Sequence, residues 1–300
     1  GDLHLGNIVL WGGAPLLFDA LEFDDRLASV DTLYDVAFLL MDLDAGGHRV
    51  AANLILNRIV SGPRGATEID GFAALPLMLA LRAAIRAMVG AERADQEYGD
   101  ARTTAVARAR GYLGQAISYL APAAPMLVAV GGFSGTGKST LAAALAPGIG
   151  GAPGALHIRA DVERKAMFGV DEGARLQPAA YAAEVSPRVY AAMMDKARRA
   201  LAAGHSVVID AVFSRPGERV AAEAAAASVG TPFKGLWLEA RRDVLVARVE
   251  RRSGDASDAT PDVVAGQLAR GAGDVFWTTV EAGGTAESTL TAARRVLGLK

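Results

Sequence analysis

The segment Gly132-Phe133-Ser134-Gly135-Thr136-Gly137-Lys138-Ser139 has the residue types and spacing most specific for a chemistry in this sequence. Its glycines let the chain wrap around an anion with successive backbone N–H groups pointing inward. Lys138 is placed to reach the β- and γ-phosphates of a nucleotide, and the Ser139 hydroxyl to coordinate Mg²⁺. The apolar run Met126–Val130 before the loop reads as a strand and Ser139–Ala146 after it as a helix, whose N-terminus adds partial positive charge. A loop in that setting is expected to bind ATP with Mg²⁺ through Gly132, Ser134, Gly135, Thr136, Gly137, Lys138, Ser139 and Thr140.

Three other segments bear on what such a site would do. His157-Ile158-Arg159-Ala160-Asp161-Val162-Glu163-Arg164-Lys165 falls where the next strand should end, and the carboxyl ends of parallel strands face the ligand crevice. An Asp there can accept a proton from a substrate hydroxyl, leaving Arg159 or Arg164 to hold an anionic or polar group. The same Asp161 would also suit a helix N-cap, and the residues alone leave both readings open. Ser206–Asp210 is an apolar strand ending in a carboxylate that can hold Mg²⁺, or simply a strand-end turn. Arg248 and Arg252, four apart, are expected on one helical face, either closing over a triphosphate or lying solvated.

A second constellation opens the chain. Gly1-Asp2-Leu3-His4-Leu5-Gly6-Asn7, followed by Leu17-Phe18-Asp19, has the parts of another phosphotransfer site. Asp2 fits the role of base and Asn7 and Asp19 those of metal ligands, with Glu22 a further candidate, or the segment is a turn that holds Asp and Asn by coincidence. The first Lys of the sequence is Lys138, so this half has no lysine for the α- and β-phosphates, and the site is expected to be silent.

The elements that must position these groups follow from the pattern. The sequence has 300 residues, 51% hydrophobic and 21% charged, enough for two domains with cores. A net charge of −2 speaks against long nucleic acid or an anionic membrane as main partner. The absence of Cys excludes disulfides and thiolate chemistry and fits a reducing cytoplasm. No apolar run reaches the roughly 18–20 residues needed to span a bilayer, and no secretory signal is read at the start. Short strands are expected at Ile8–Trp11 and Leu16–Asp19 around Gly12-Gly13. A helix should begin after Asp31 as N-cap, on the spacing of Leu33, Val36, Ala37, Leu40 and Leu43, with others at 48–60, 70–93 and 101–120. Ala121-Pro122-Ala123-Ala124-Pro125 is a segment no helix crosses, so the division is expected there: 1–120, the linker 121–125, and 126–300. Beyond it, apolar strands at 126–130, 206–209 and 233–238 alternate with helices at 138–147, 178–203 and 216–229, the pattern of a parallel sheet with helices on both faces. The fold class is α/β, helical first and strand–helix alternating afterwards.

Residues 126–275 resemble the P-loop kinases of the polynucleotide-kinase-like group, often described as AAA-type kinases. The resemblance rests on GGFSGTGKST, IRADVERK, AYAAEVSPRVY, SVVIDAVF and RVERRSGDASDA. It implies that Asp161 is base or acceptor anchor with Arg164 beside it, that Arg248 and Arg252 are lid arginines, and that Arg215 and Arg219 lie on the acceptor side. Asp255-Ala256-Ser257-Asp258 matches a signature of that group to which no role attaches. Residues 1–35 resemble the catalytic half of aminoglycoside-phosphotransferase-type kinases, with Asp31 and Asp35 at the helix entry. That family's motif is expected to begin with a His just upstream of Gly1 and to follow a nucleotide-cradling lobe. In this order the chain is similar to the C-terminal part of bacterial fusions of the two kinase types. The resemblance implies transfer of the γ-phosphate of ATP to a hydroxyl of a small molecule, in the cytoplasm. An ATP-binding regulatory module, or a kinase for a nucleotide or nucleic-acid 5′-hydroxyl, remain as alternatives.

Overall fold

The computed structural model describes residues 2–19, 29–61, 65–252 and 255–299. Its framework is a parallel five-stranded sheet built from β3 (Leu127–Gly132), β4 (Leu156–Arg159), β5 (Val207–Asp210), β6 (Phe233–Glu239) and β7 (Thr278–Glu281). The order across the sheet is β4-β5-β3-β6-β7, with Val130 level with Asp210 on one side and Leu236 on the other. Every residue of β3 and β5 is buried, which is why their sequences are continuous apolar runs instead of alternating ones. Side chains of β3 alternate between two cores. Leu127 and Ala129 join Ile209 and Trp237 beneath α7 (Val185–Ala202), whereas Val128 and Val130 meet Leu141 and Leu145 of α5 (Lys138–Leu145).

The amino-terminal part is a hairpin followed by helices. β1 (Ile8–Trp11) pairs antiparallel with β2 (Ala14–Leu17) around Gly12-Gly13, both in positive φ. The second strand is thus two residues earlier than expected, and Asp19 lies outside it at φ +59°. Helix α1 (Thr32–Ala45) starts where the sequence indicates, because Asp31 accepts from the N–H groups of Leu33 and Tyr34. It is followed by α2 (Arg49–Val60), α3 (Leu75–Gln96) and α4 (Gly99–Tyr119).

Proline explains where helix boundaries depart from expectation. The stretch 178–203 is a 3₁₀ turn at Pro178–Tyr181 and then α7, with Pro187 inside the first turn of α7. Proline fits there, where its missing N–H has no intrahelical partner, but could not continue a helix from further upstream. In the same way Pro76 sets the start of α3 at Leu75, and Pro147 ends α5 at Leu145 with a 3₁₀ turn after it. The remaining elements are α6 (Ala160–Met167), α8 (Pro216–Ala227), α9 (Arg242–Glu250), α10 (Pro261–Arg270) and α11 (Ala286–Leu297).

Helix α2 lies along the β4 edge of the sheet. Asn53 Nδ2 donates to Ala155 O at 2.9 Å, and Asn57 Oδ1 accepts from His157 N at 2.6 Å. Two asparagines one helical turn apart thus satisfy backbone groups that an edge strand otherwise exposes. Asp70 pairs with Arg199 at 2.7 Å, and the rings of Phe72 and His205 stand 4.5 Å apart, so the amino-terminal part meets the sheet domain through polar and apolar contacts alike. Among the described residues, no helix is long and apolar enough to cross a membrane.

Candidate active site

A cavity of about 1340 Å³ opens at the carboxyl ends of the central strands, lined by residues 134–140 and by Asp161 and Asp210. The loop from Gly132 to Ser139 joins β3 to α5, as its sequence indicates. Two glycines show why the type is required. Gly135 has φ +88° and sits so close to α9 that an added Cβ would stand 2.5 Å from Leu245 O. Gly137 has φ +89°, a backbone conformation that side-chain-bearing residues rarely adopt, although an added Cβ would meet nothing within 4 Å. Lys138 folds back across the loop, its Nζ 3.0 Å from Phe133 O. Burial pushes the Lys138 ammonium below its ordinary value, against the opposing pull of the Asp210 and Asp161 carboxylates.

Asp210 ends β5, lines the cavity and is buried among three partners. Its Oδ1 accepts from Ser139 Oγ at 3.0 Å, and its Oδ2 lies 2.7 Å from His157 Nε2 and 3.7 Å from Arg159 Nε. Burial raises an Asp, but the His157 hydrogen bond and the charges of Arg159 and Lys138 outweigh it and hold Asp210 below the usual carboxylate range. A hydroxyl and an ionised carboxylate side by side suit Mg²⁺, which keeps several waters and binds few protein oxygens. Ser139 and Asp210 would hold it. Among the described residues no cluster of three His, Cys, Asp or Glu is arranged for a metal, so any further ligands would come from water and phosphate.

Asp161 has the opposite character. It lies in the first turn of α6, whose N-cap is Arg159, and makes no capping hydrogen bond, so the capping reading does not hold. Burial and the neighbouring Asp210 charge push its carboxyl above the ordinary value, partly offset by Lys138, by a hydrogen bond from Ser257 and by Arg159. Two carboxylates in one cavity therefore have pKa values driven apart.

The arginines separate by partner. Arg159 does not line the cavity; its guanidinium reaches Asp255 at 2.7 Å and Glu172 at 3.1 Å, supporting Asp210 from behind. Arg164 does line it, with Nη1 donating to Ala180 O at 2.8 Å and the Tyr181 ring 5.1 Å away. Arg215 is exposed at the rim, at the N-cap of α8. Arg219 is buried away from the cavity and donates to the carbonyls of Phe213, Ala272 and Asp274, a structural tie in place of the expected acceptor-side role. Arg248 lines the cavity while binding Ala282 O and Gly284 O, both at 2.7 Å. Helix α9 ends at Glu250, so Arg252 lies past it and does not share a helical face with Arg248; its Nε faces Asp255 at 3.5 Å.

The unassigned segment 255–258 gains contacts. Beyond the Asp255 pairs, Asp258 accepts from Tyr181 Oη at 2.7 Å and Leu176 N at 3.0 Å. Ser257 and Asp258 thus brace the far wall of the cavity, around Asp161, Arg164 and Tyr181. Gln267 of α10, not singled out by its sequence, accepts from Ser134 N at 2.8 Å. A neutral amide outside any motif leaves no signal in the sequence.

The amino-terminal residues also converge. Asn7 Nδ2 lies 3.1 Å from Asp2 O, 3.2 Å from Asp2 Oδ2 and 3.3 Å from Asp19 O. Asp35 accepts from Leu3 N at 3.0 Å and so anchors the same turn to α1. Glu22 and Gly1 lie outside the described residues.

Comparison with known proteins bears on the sheet domain. Residues 127–272 match the family model described as an AAA domain. An uncharacterized protein of Mycobacterium tuberculosis is 34% identical over 275 residues, covering 90% of this chain and 53% of that protein, and one of Mycobacterium bovis has the same values. The chain thus spans about half the length of the curated relatives it matches. Among solved structures, a gluconokinase from Sinorhizobium meliloti is 21% identical with a TM-score of 0.42, covering 58% of this chain and 92% of that one. An APS kinase from Mycobacterium tuberculosis, in complex with AMPPNP and APS, is 16% identical with a TM-score of 0.38, covering 58% and 98%. Residues 127–272 are thus similar to an AAA domain, and the parallel sheet with its phosphate loop has a P-loop α/β arrangement.

Proposed function

We propose that residues 126–300 transfer the γ-phosphate of ATP to a hydroxyl of a small molecule. The observation that carries this reading is the pairing, in one cavity, of the Ser139–Asp210 hydrogen bond on the phosphate loop with a separate carboxylate, Asp161, of raised pKa. Phosphoryl transfer needs positioning and charge compensation more than covalent chemistry. The loop amides and Lys138 would hold the triphosphate, and Arg252 adds positive charge at the rim. Mg²⁺ held by Ser139 and Asp210 would supply neutralisation of charge on the phosphate oxygens. Asp161, accepting the hydroxyl proton, faces the part of the cavity lined by Arg164, Tyr181, Ser186 and Tyr190. Those groups suit a polar acceptor.

In this reading residues 1–120 are the carboxyl-terminal lobe of an aminoglycoside-phosphotransferase-like domain, joined through 121–125, and the protein works in the cytoplasm. The convergence of Asp2, Asn7 and Asp19 supports that assignment. A second reading, in which ATP occupancy is sensed by the amino-terminal part, is favoured by one feature: a chain of hydrogen bonds runs from Asn57 of α2 through His157 and Asp210 to Ser139. The test is a phosphoryl-transfer screen with labelled ATP against sugars, nucleosides, aminoglycosides and 5′-hydroxyl oligonucleotides. Transfer to a small acceptor supports the enzyme; tight ATP binding with no transfer to any acceptor supports the sensor.

A further inference from the structure

Gln267 lies at the end of the second turn of α10, a helix capped by Thr260 and fixed to α9 through Val264, which packs with Leu245 and Val249. Its Oε1 accepts from Ser134 N, so the backbone donor itself dictates which end of the amide faces the loop. The Nε2 group, with two N–H donors, is then left over, and among the described residues it has no hydrogen-bond partner. Gln267 also lines the cavity.

The position of that free donor relative to a nucleotide follows from Lys138. The lysine of such a loop reaches the β- and γ-phosphates. Lys138 Nζ is 3.0 Å from Phe133 O, and Phe133 O belongs to the same peptide unit as the Ser134 N–H that Gln267 accepts. Lysine and glutamine thus hold one peptide unit from its two ends, and both side chains line the cavity at the limb of the loop remote from α5. The loop amides cradle the inner phosphates, so the lysine marks the side of the loop toward the terminal one.

We infer that Gln267 is a γ-phosphate contact: its Oε1 fixes the phosphate loop while its Nε2 donates to the terminal phosphate of ATP, so that the site distinguishes ATP from ADP. This deepens the proposed function and rests on its premise that the loop binds ATP. It gives the stretch after Asp258 a task on the nucleotide side, complementing Ser257 on the acceptor side.

Calorimetric titration of Mg·ATP and Mg·ADP into the full chain tests this without knowledge of the acceptor. Gln267→Glu keeps an oxygen for Ser134 N–H but removes both donors and sets a negative charge beside the terminal phosphate. The ratio of ATP to ADP affinity should fall by about tenfold or more, the range of a lost charge-assisted hydrogen bond. Gln267→Met, of similar length, should lower the same ratio and serves if the Glu variant does not fold, as judged by its thermal midpoint. Equal weakening of both nucleotides would make Gln267 a structural pin and overturn the inference, as would an unchanged ratio. If the unaltered protein binds neither nucleotide, the reading of the loop as an ATP site fails, and the inference falls with it.

Discussion

Asp161 and Asp210 are chemically the same residue, and the cavity makes them different. Asp210 is held ionised by His157 and Arg159, whereas burial and the charge of Asp210 push Asp161 upward. A general base works only when deprotonated, so turnover should rise with pH as Asp161 ionises, with the acid limb above that of an exposed Asp. The Ser257 hydrogen bond lowers that pKa. Ser257→Ala should therefore move the limb to still higher pH in a pH–rate profile. Asp161→Asn should retain ATP binding while phosphorylation of the acceptor falls about 10²–10⁴-fold; equal loss of both would assign Asp161 to structure or metal. Sequence revealed the two carboxylates by their places after apolar strands, but could not show which guanidiniums are already engaged. Arg219 has the same charge as Arg215, yet it is buried and spends its donors on three carbonyls. Arg219→Met should lower stability by about 2–4 kcal/mol in urea unfolding, since those carbonyls lose their donor, while ATP affinity stays within about twofold.

At the scale of elements, continuous apolar runs made β3 and β5 readable, as did Leu236-Trp237-Leu238 within β6, because both faces are covered there. Strand β7 was not. Thr278-Thr279-Val280-Glu281 is an edge strand with Val280 its one buried residue, and four residues with a single buried apolar side chain give no period to read. The helix spacing of α2 was legible, but the use of its polar face was not: Asn53 and Asn57 look like a solvated stripe until the β4 edge is set against them. Asn57→Ala should destabilise the protein by about 1–3 kcal/mol, the cost of leaving the His157 amide without its partner. The shift would appear in the urea midpoint. A midpoint within error of the unaltered protein would show that the contact between α2 and β4 contributes nothing to stability.

Taken as a whole, the molecule has two constellations that the proposed function reads as phosphate sites, and the cavity at the carboxyl ends of the strands holds Lys138 with Arg164, Arg248 and Arg252. The amino-terminal cluster brings Asp2, Asn7 and Asp19 together, but Asn7 is already committed to Asp2 and to the backbone of Asp19. Among the described residues no glycine loop or lysine stands beside these two carboxylates, which would face a triphosphate with like charge. At the P-loop, by contrast, Lys138, the loop amides and the Ser139–Asp210 pair stand in one cavity. The central claim is that all ATP binding by these residues passes through that cavity. Calorimetry with Mg·ATP on three forms of the protein tests it most directly. Lys138→Met should abolish binding, whereas Asp2→Asn combined with Asp19→Asn should leave the affinity within about twofold, under 1 kcal/mol. Normal stoichiometry in the Lys138 variant, or loss of binding in the double variant, would contradict the claim.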